Sequence, residues 1–213
     1  MSDNLVAAIE AVGEAIIQNK ELLTTLDAAI GDADHGINMS RGFVAVKTKL
    51  QDIAPDADLS TVLKMVAITL MSTVGGASGP LYGTAFFRAA AAVPGRENID
   101  KDVAIRMFDA AIAGIKERGK AIRGEKTMLD ALEPARDAFA AGIQQKSLLE
   151  SLDLACDAAN KGVDFTKTIV ASKGRASYLG ERSLGHQDPG ATSSYIMLKA
   201  LADFCRKNNL GVN

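Results

Sequence analysis

The stretch Met65-Val-Ala-Ile-Thr-Leu-Met-Ser-Thr-Val-Gly-Gly-Ala-Ser-Gly-Pro-Leu-Tyr-Gly-Thr-Ala-Phe-Phe87 contains no charged side chain and is long enough to cross a bilayer as one helix. Its middle excludes that reading. Gly75-Gly76-Ala77-Ser78-Gly79-Pro80 would break a spanning helix, so the composition fits two buried helices that meet at a glycine loop. Working outward, apolar residues recur at helical spacing almost everywhere and two-residue alternation is rare, which predicts an all-α fold.

Upstream, Leu5, Ile9, Val12 and Ile16 make one stripe of a helix over 3–20. A second helix is expected from Asn38 through Phe43, Val46 and Leu50 to Pro55, and a third, capped by Asp58 or Ser60, carries Leu63, Val66 and Leu70 up to Gly75-Gly76. Pro80 is tolerated in the first turn of a fourth, which Pro94-Gly95 ends. Downstream, a fifth helix over 100–119 has Gly119 at its end, where a C-cap glycine is common. A sixth opens at Thr127 with Pro134 inside it, a site for a kink. A seventh, the longest, runs from Ser147, and an eighth starts near Pro189 with Met197, Leu201 and Phe204 on one face. Eight helices with mostly short connections suit an antiparallel up-and-down bundle or closed barrel. A 17-residue helix is about 25 Å long, so successive connections alternate between two ends of the molecule. The connections between helices 1 and 2, 3 and 4, 5 and 6, and 7 and 8 therefore share an end.

Composition narrows the function. With 213 residues, 47% of them hydrophobic, the chain can form a substantial core and is read as one domain over 1–213. A net charge of −2 with interspersed signs leaves no footprint for nucleic acid or a membrane surface, and the absence of tryptophan argues against base stacking. Cys156 and Cys205 lie far apart, with neither a CxxC pair nor a nearby histidine, as expected of reduced packing residues. The first twenty residues lack a basic segment of the signal-peptide kind, which predicts a cytoplasmic protein.

The four shared-end connections, Gly119–Met128 between helices 5 and 6 included, are the four with unusual chemistry. The first holds Asp27, Asp32 and Asp34 with no lysine or arginine between them. Two carboxylates about 4 Å apart repel by roughly 4 kcal/mol at an effective dielectric of 20. Three brought together would oppose folding or share a cation, and oxygen ligands of this kind suit Mg²⁺. A solvated turn in which Asp34 or Asn38 only caps the next helix would use the same residues. An EF-hand is excluded: counted from Asp32, position 6 is Ile37 and position 12 is Phe43. The glycine loop offers backbone amides at a helix start, an anion site, although no Walker A lysine follows it. The loop 172–189 brings Lys173, Arg175 and Arg182, and a guanidinium matches phosphate oxygens. Each could be structural if it stood alone, and His35 could be a structural hydrogen bonder or a phosphate contact. On one rim they describe a site for a Mg²⁺-bound polyphosphate, most simply a nucleotide.

Leu26-Asp27 through Asp32-Ala33-Asp34-His35-Gly36, the run Gly75–Thr84, and Lys173–Arg182 with His186-Gln187-Asp188-Pro189-Gly190 resemble, in that order, the nucleotide-binding L subunits of dihydroxyacetone kinases. The resemblance implies an eight-helix antiparallel barrel with the nucleotide at one end. It further implies that Asp27, Asp32 and Asp34 hold two Mg²⁺ ions and that His35, Gly36, Ile37, Asn38, Ala77 and Ser78 line the phosphates of ADP or ATP. Gly119, Met128, Arg175, Asp188, Pro189 and Gly190 would complete the pocket, though Met128 also lies on the core stripe with Leu132. The subunit would be inactive alone. A separate K subunit would carry the dihydroxyacetone, and a phosphotransferase-system M subunit would rephosphorylate bound ADP. An ATP-dependent ketose kinase and a nucleotide-sensing module docked on a transcriptional regulator are the alternatives. A homodimer is compatible with each.

Overall fold

A computed structural model describes residues 2–96 and 98–211; the described residues form helices and no strand. The helices are α1 (Ser2–Gln18), α2 (Lys20–Ile30), α3 (His35–Leu50), α4 (Leu59–Thr73), α5 (Ser78–Ala91), α6 (Lys101–Gly119), α7 (Leu129–Ile143), α8 (Leu148–Thr166), a 3-10 helix (Arg175–Ser183) and α9 (Pro189–Lys207). No helix among the described residues is long and apolar enough to cross a membrane.

Caps set several starts. Asp58 accepts from Thr61 N at 2.8 Å, Asp100 from Val103 N at 2.8 Å, and Ser147 with Glu150 completes a capping box. Ser60, the other candidate for the third helix, instead donates to the Ala90 carbonyl from a buried position. Pro134 sits inside α7, which continues through it.

Five expectations are corrected. The first helix ends at Gln18, close to the expected residue 20, but a second helix follows it at once where a loop was expected. Only Asn19 separates α1 from α2, and helical hydrogen bonds pass through it, from Asn19 N to Ala15 O and from Leu23 N to Asn19 O. The buried residues Leu23, Asp27 and Ile30 keep helical spacing, so Asp27 belongs to the last turn of a helix and not to the loop. The next helix begins at His35, three residues before Asn38. At the end of α6 the left-handed residue is Lys120 (φ 48°), while Gly119 is still helical. The loop 172–189 contains a 3-10 helix, interrupted at Gly180 (φ 55°), in a mostly polar stretch whose short apolar pair, Ala176 and Leu179, packs with Ile30 and Ala171. At 19 residues α8 is matched in length by α6 and α9.

Each helix from α3 to α9 packs on its chain neighbours, and α9 packs on α1 as well, so the circuit of helices returns to its start. Phe43, Val46, Val62, Val66 and Leu70 fill one part of the core with Ile16 and Leu23. Phe139, Ile143, Ala155, Ala159 and Val163 fill another, together with Cys156 and Cys205, both free and buried. Gly162 lets α8 approach α7 closely, since a Cβ there would meet the Asp130 carbonyl at 2.0 Å. An apolar cavity of about 260 Å³ lies among α1, α5, α6 and α9, bounded by Ile9, Phe86, Ile112 and Leu198. The alternation of connections places α2–α3, α4–α5, α6–α7 and α8–α9 around one cleft.

Candidate functional site

The cleft measures about 600 Å³. Four helices, α3, α5, α7 and α9, begin at its wall, at His35, Ser78, Leu129 and Pro189. A helix N-terminus carries unpaired amides and roughly half a positive charge, so four of them on one cleft make its wall attractive to anions. This follows from the alternation itself: each of these connections ends where a helix starts.

The acids face the same space. One carboxylate oxygen from each of Asp27, Asp32 and Asp34 lies within 4.8 Å of the others. Asp27 is buried, Asp34 half-buried and Asp32 exposed. Asp27 Oδ2 accepts from Asp34 N at 2.9 Å and His35 N at 3.1 Å, tying the end of α2 to the start of α3. Ala33 adopts a left-handed conformation (φ 61°), which reverses the chain between the other two acids. Gly31 leaves room for the Asp27 carboxylate, because a Cβ there would lie 2.1 Å from Oδ1. Asp34 occupies the N-cap position of α3, yet its side chain makes no cap hydrogen bond. An all-oxygen donor set of this kind fits a hard divalent cation, Mg²⁺ above all. Arg175 reaches Asp32 across the cleft at 2.9 Å.

Behind the acids runs a hydroxyl network. The buried His35 ring has Nδ1 3.0 Å from Ser78 Oγ and Nε2 2.9 Å from Ser193 Oγ. Burial pushes its pKa down, against the pull of Asp27 and Asp34. Tyr82 OH meets Ser193 Oγ at 2.7 Å and Ser194 Oγ at 2.8 Å and donates to Gly190 O at 3.1 Å; burial raises its pKa to about 12. Both His35 nitrogens are thus engaged by serines, and the ring joins the α5 start to the α9 start. Asp188 accepts from Ala191 N at 2.7 Å as the α9 cap, and its burial raises its pKa to about 7.

Of the residues expected from the sequence, Asp27, Asp32, Asp34, His35, Ala77, Ser78, Met128, Arg175, Asp188, Pro189 and Gly190 line the cleft. The other four lie outside its lining. Gly36 packs against α2, where a Cβ would meet Lys20 O at 2.1 Å, and Ile37 is exposed. Asn38 lies behind Gly75 and accepts from Arg41 at 2.8 Å, while Gly119 sits against Leu81, a lining residue. Met128 is both lining and core. Lys126, Tyr82 and the α9 serines were not legible: a lone lysine after Gly124-Glu125 reads as a solvated loop charge, and Ala-Thr-Ser-Ser reads as an ordinary helix start.

A family model described as the DAK2 domain matches residues 29–203. The chain belongs to the DAK2-domain family. This DAK2 domain is 47% identical over 189 residues to the "PEP-dependent dihydroxyacetone kinase 1, ADP-binding subunit DhaL" of Listeria innocua, covering 89% of each chain. It is also 47% identical over 191 residues to the "PEP-dependent dihydroxyacetone kinase, ADP-binding subunit DhaL" of Escherichia coli K12, covering 89% of this chain and 90% of the relative. Among solved structures, the dihydroxyacetone kinase from C. freundii in complex with AMP-PNP and Mg²⁺ superposes with a TM-score of 0.73 at 27% identity. That likeness covers 93% of the DAK2 domain described above and 33% of the C. freundii chain.

Proposed function

We propose that this DAK2 domain is the ADP-binding, phosphoryl-transferring subunit of a phosphoenolpyruvate-dependent dihydroxyacetone kinase. The observation that carries the reading is the trio of carboxylates, with oxygens within 4.8 Å of one another, in a cleft where four helices begin. Acids alone would repel a phosphate and helix starts alone would repel a metal. Together they suit a nucleotide whose phosphates are already bound to cations. The likeness to ADP-binding subunits along 89% of the chain supports the same reading.

Asp27, Asp32 and Asp34 would hold two Mg²⁺ ions, which supply charge neutralisation of the phosphate oxygens. The amides of Ser78 and Gly79 at the start of α5 and the guanidinium of Arg175 would take up the remaining negative charge. Met128, Asp188, Pro189 and Gly190 would border the rest of the nucleotide. His35 orients Ser78 and Ser193 from behind instead of touching the acceptor. Phosphoryl transfer depends mainly on positioning and charge stabilisation, and these residues provide both. The acceptor, dihydroxyacetone, would arrive on a K subunit at the open rim, and an M subunit would rephosphorylate the retained ADP.

The test uses the purified chain with purified K and M partners and the general phosphotransferase proteins. Dihydroxyacetone phosphate should form with phosphoenolpyruvate and ADP, and native mass spectrometry should show ADP and two magnesium ions on the chain. Turnover driven equally well by free ATP, or no turnover with any donor, would overturn the reading.

A further inference from the structure

Lys126 is the most deeply buried cation among the described residues, 1% exposed, and no carboxylate pairs with it there. Its Nζ donates to three backbone carbonyls at short range, Thr166 O at 2.6 Å, Ser183 O at 2.7 Å and His186 O at 2.6 Å, with Ile169 O at 3.3 Å. An ammonium has three N–H donors and no lone pair, so three short bonds to acceptors use it fully. A neutral amine would turn a lone pair onto one of those oxygens, so the geometry calls for the charged form. Burial pushes the Lys126 pKa down, and the neighbouring Asp188 and Asp130 oppose that shift. Its left-handed backbone (φ 61°), two residues after Gly124 (φ 93°), turns the side chain inward.

The carbonyls belong to both feet of one loop. Thr166 ends α8 and Ile169 follows it; Ser183 ends the 3-10 helix and His186 precedes the α9 cap by two residues. Between the feet runs the segment that carries Lys173, Arg175 and Tyr178 to the cleft. Gly185 N to Lys167 O at 2.8 Å, Ala171 N to Ser183 Oγ at 2.9 Å and Asp188 N to Thr166 Oγ1 at 3.0 Å close the same base. A ring of carbonyl oxygens around a dehydrated cation is also how proteins hold potassium.

We propose that Lys126 is a positioning residue whose ammonium serves as a built-in monovalent cation: it pins both feet of the loop and thereby fixes Arg175 and the Asp188–Gly190 turn around the nucleotide. Its role in binding rests on the reading of the cleft as a Mg²⁺–ADP site, but the pin itself does not. Two of the three readouts below need no nucleotide, so failure of the two readings can be told apart.

The variant Lys126→Ala removes the ammonium and leaves the carbonyl cage with room for an ion. It is compared with the wild type and with Lys126→Met, whose apolar side chain fills the cage, in tetramethylammonium, sodium, potassium and ammonium chlorides at about 0.15 M, a constant ionic strength. The readouts are folding by circular dichroism, the rate of trypsin cleavage after the exposed Arg175 and Arg182, and Mg²⁺–ADP affinity by calorimetry. In tetramethylammonium chloride Lys126→Ala should be cleaved at least about tenfold faster than the wild type and bind Mg²⁺–ADP at least about tenfold more weakly, a change of about 1.4 kcal/mol. Potassium or ammonium should restore most of both for Lys126→Ala and neither for Lys126→Met, and the wild type should be indifferent to the salt. Wild-type cleavage rates in Lys126→Ala, or defects that no cation relieves, would overturn the proposal. So would a variant that fails to fold in every salt, which would make Lys126 a scaffold residue and not a loop pin.

Discussion

Neutralising Asp34 should stabilise the metal-free protein and destroy its response to Mg²⁺–ADP. Its carboxylate has an oxygen within 4.8 Å of oxygens on both Asp27 and Asp32. At that separation each pair repels by about 0.9 kcal/mol with the dielectric of water and about 3.5 kcal/mol at an effective dielectric of 20. Two pairs therefore cost Asp34 at least about 2 kcal/mol. A carboxylate at a helix N-terminus typically recovers about 0.3–1 kcal/mol, and up to about 2 kcal/mol where it is partly buried, as Asp34 is. Asp34→Asn keeps the shape, breaks no cap hydrogen bond of the side chain and retains the backbone donation to Asp27. At an effective dielectric of 20 the repulsion outweighs both this and the Arg175 guanidinium on Asp32, and a net gain without metal of about 1 kcal/mol raises Tm by about 2–4 °C for a chain of this size. With Mg²⁺–ADP at about a hundred times its Kd the wild type gains about 2.7 kcal/mol, and the variant should gain almost none. Thermal unfolding with a chelator, and again with Mg²⁺ and ADP, should thus reverse the order of the two proteins. A variant less stable than the wild type in the chelator would mean that the acids are not held in mutual repulsion. One that kept the full ligand shift would mean that Asp34 is not a ligand.

Two other outcomes follow from the same cleft. Burial raises the Asp188 pKa to about 7 from an ordinary 3.8, so the folded state favours its protonated form. That contribution to stability is complete below about pH 4 and is lost as pH rises through about 7, a span worth roughly 4 kcal/mol at about 1.4 kcal/mol per unit. Urea unfolding of the metal-free protein should show the wild type losing stability over that range relative to Asp188→Asn, which can still cap α9; parallel pH profiles would refute it. At Gly31 an alanine Cβ would lie 2.1 Å from Asp27 Oδ1 and 3.1 Å from the Asp27 carbonyl. Gly31→Ala should therefore displace the carboxylate and weaken Mg²⁺–ADP binding at least about tenfold by calorimetry, and unchanged affinity would show that the carboxylate can yield without loss.

The helical stripes and the acid loop were legible because each obeys a local rule: apolar spacing for the helices, unneutralised charge for the acids. The up-and-down alternation of connections is enough to put the loops of the cleft at one end. Asp27 shows where local reading stops. It holds a buried stripe position of α2 beside Leu23 and Ile30, and a polar residue at such a position looks like the end of a helix. The roles of His35 and Lys126 depend on partners far along the chain, Ser193 for one and Ser183 and His186 for the other. No spacing rule links residues so distant, and a buried lysine held by carbonyls leaves no mark in the composition of its own segment. Gly36 was legible as a glycine of the acid motif, but its place is against the backbone of α2 and not in the lining of the cleft.

The alternation that gathers four helix starts on one cleft also leaves the other ends of those helices elsewhere. The connection 51–58 follows α3, whose 16 residues span about 24 Å, and the turn 144–147 follows α7 in the same way. Both carry helix caps and neither lines the cleft. A reporter peptide or purification tag grafted between Asp52 and Asp56 would sit a full helix length from the aspartates, a practical handle for immobilising the protein with its reactive face outward.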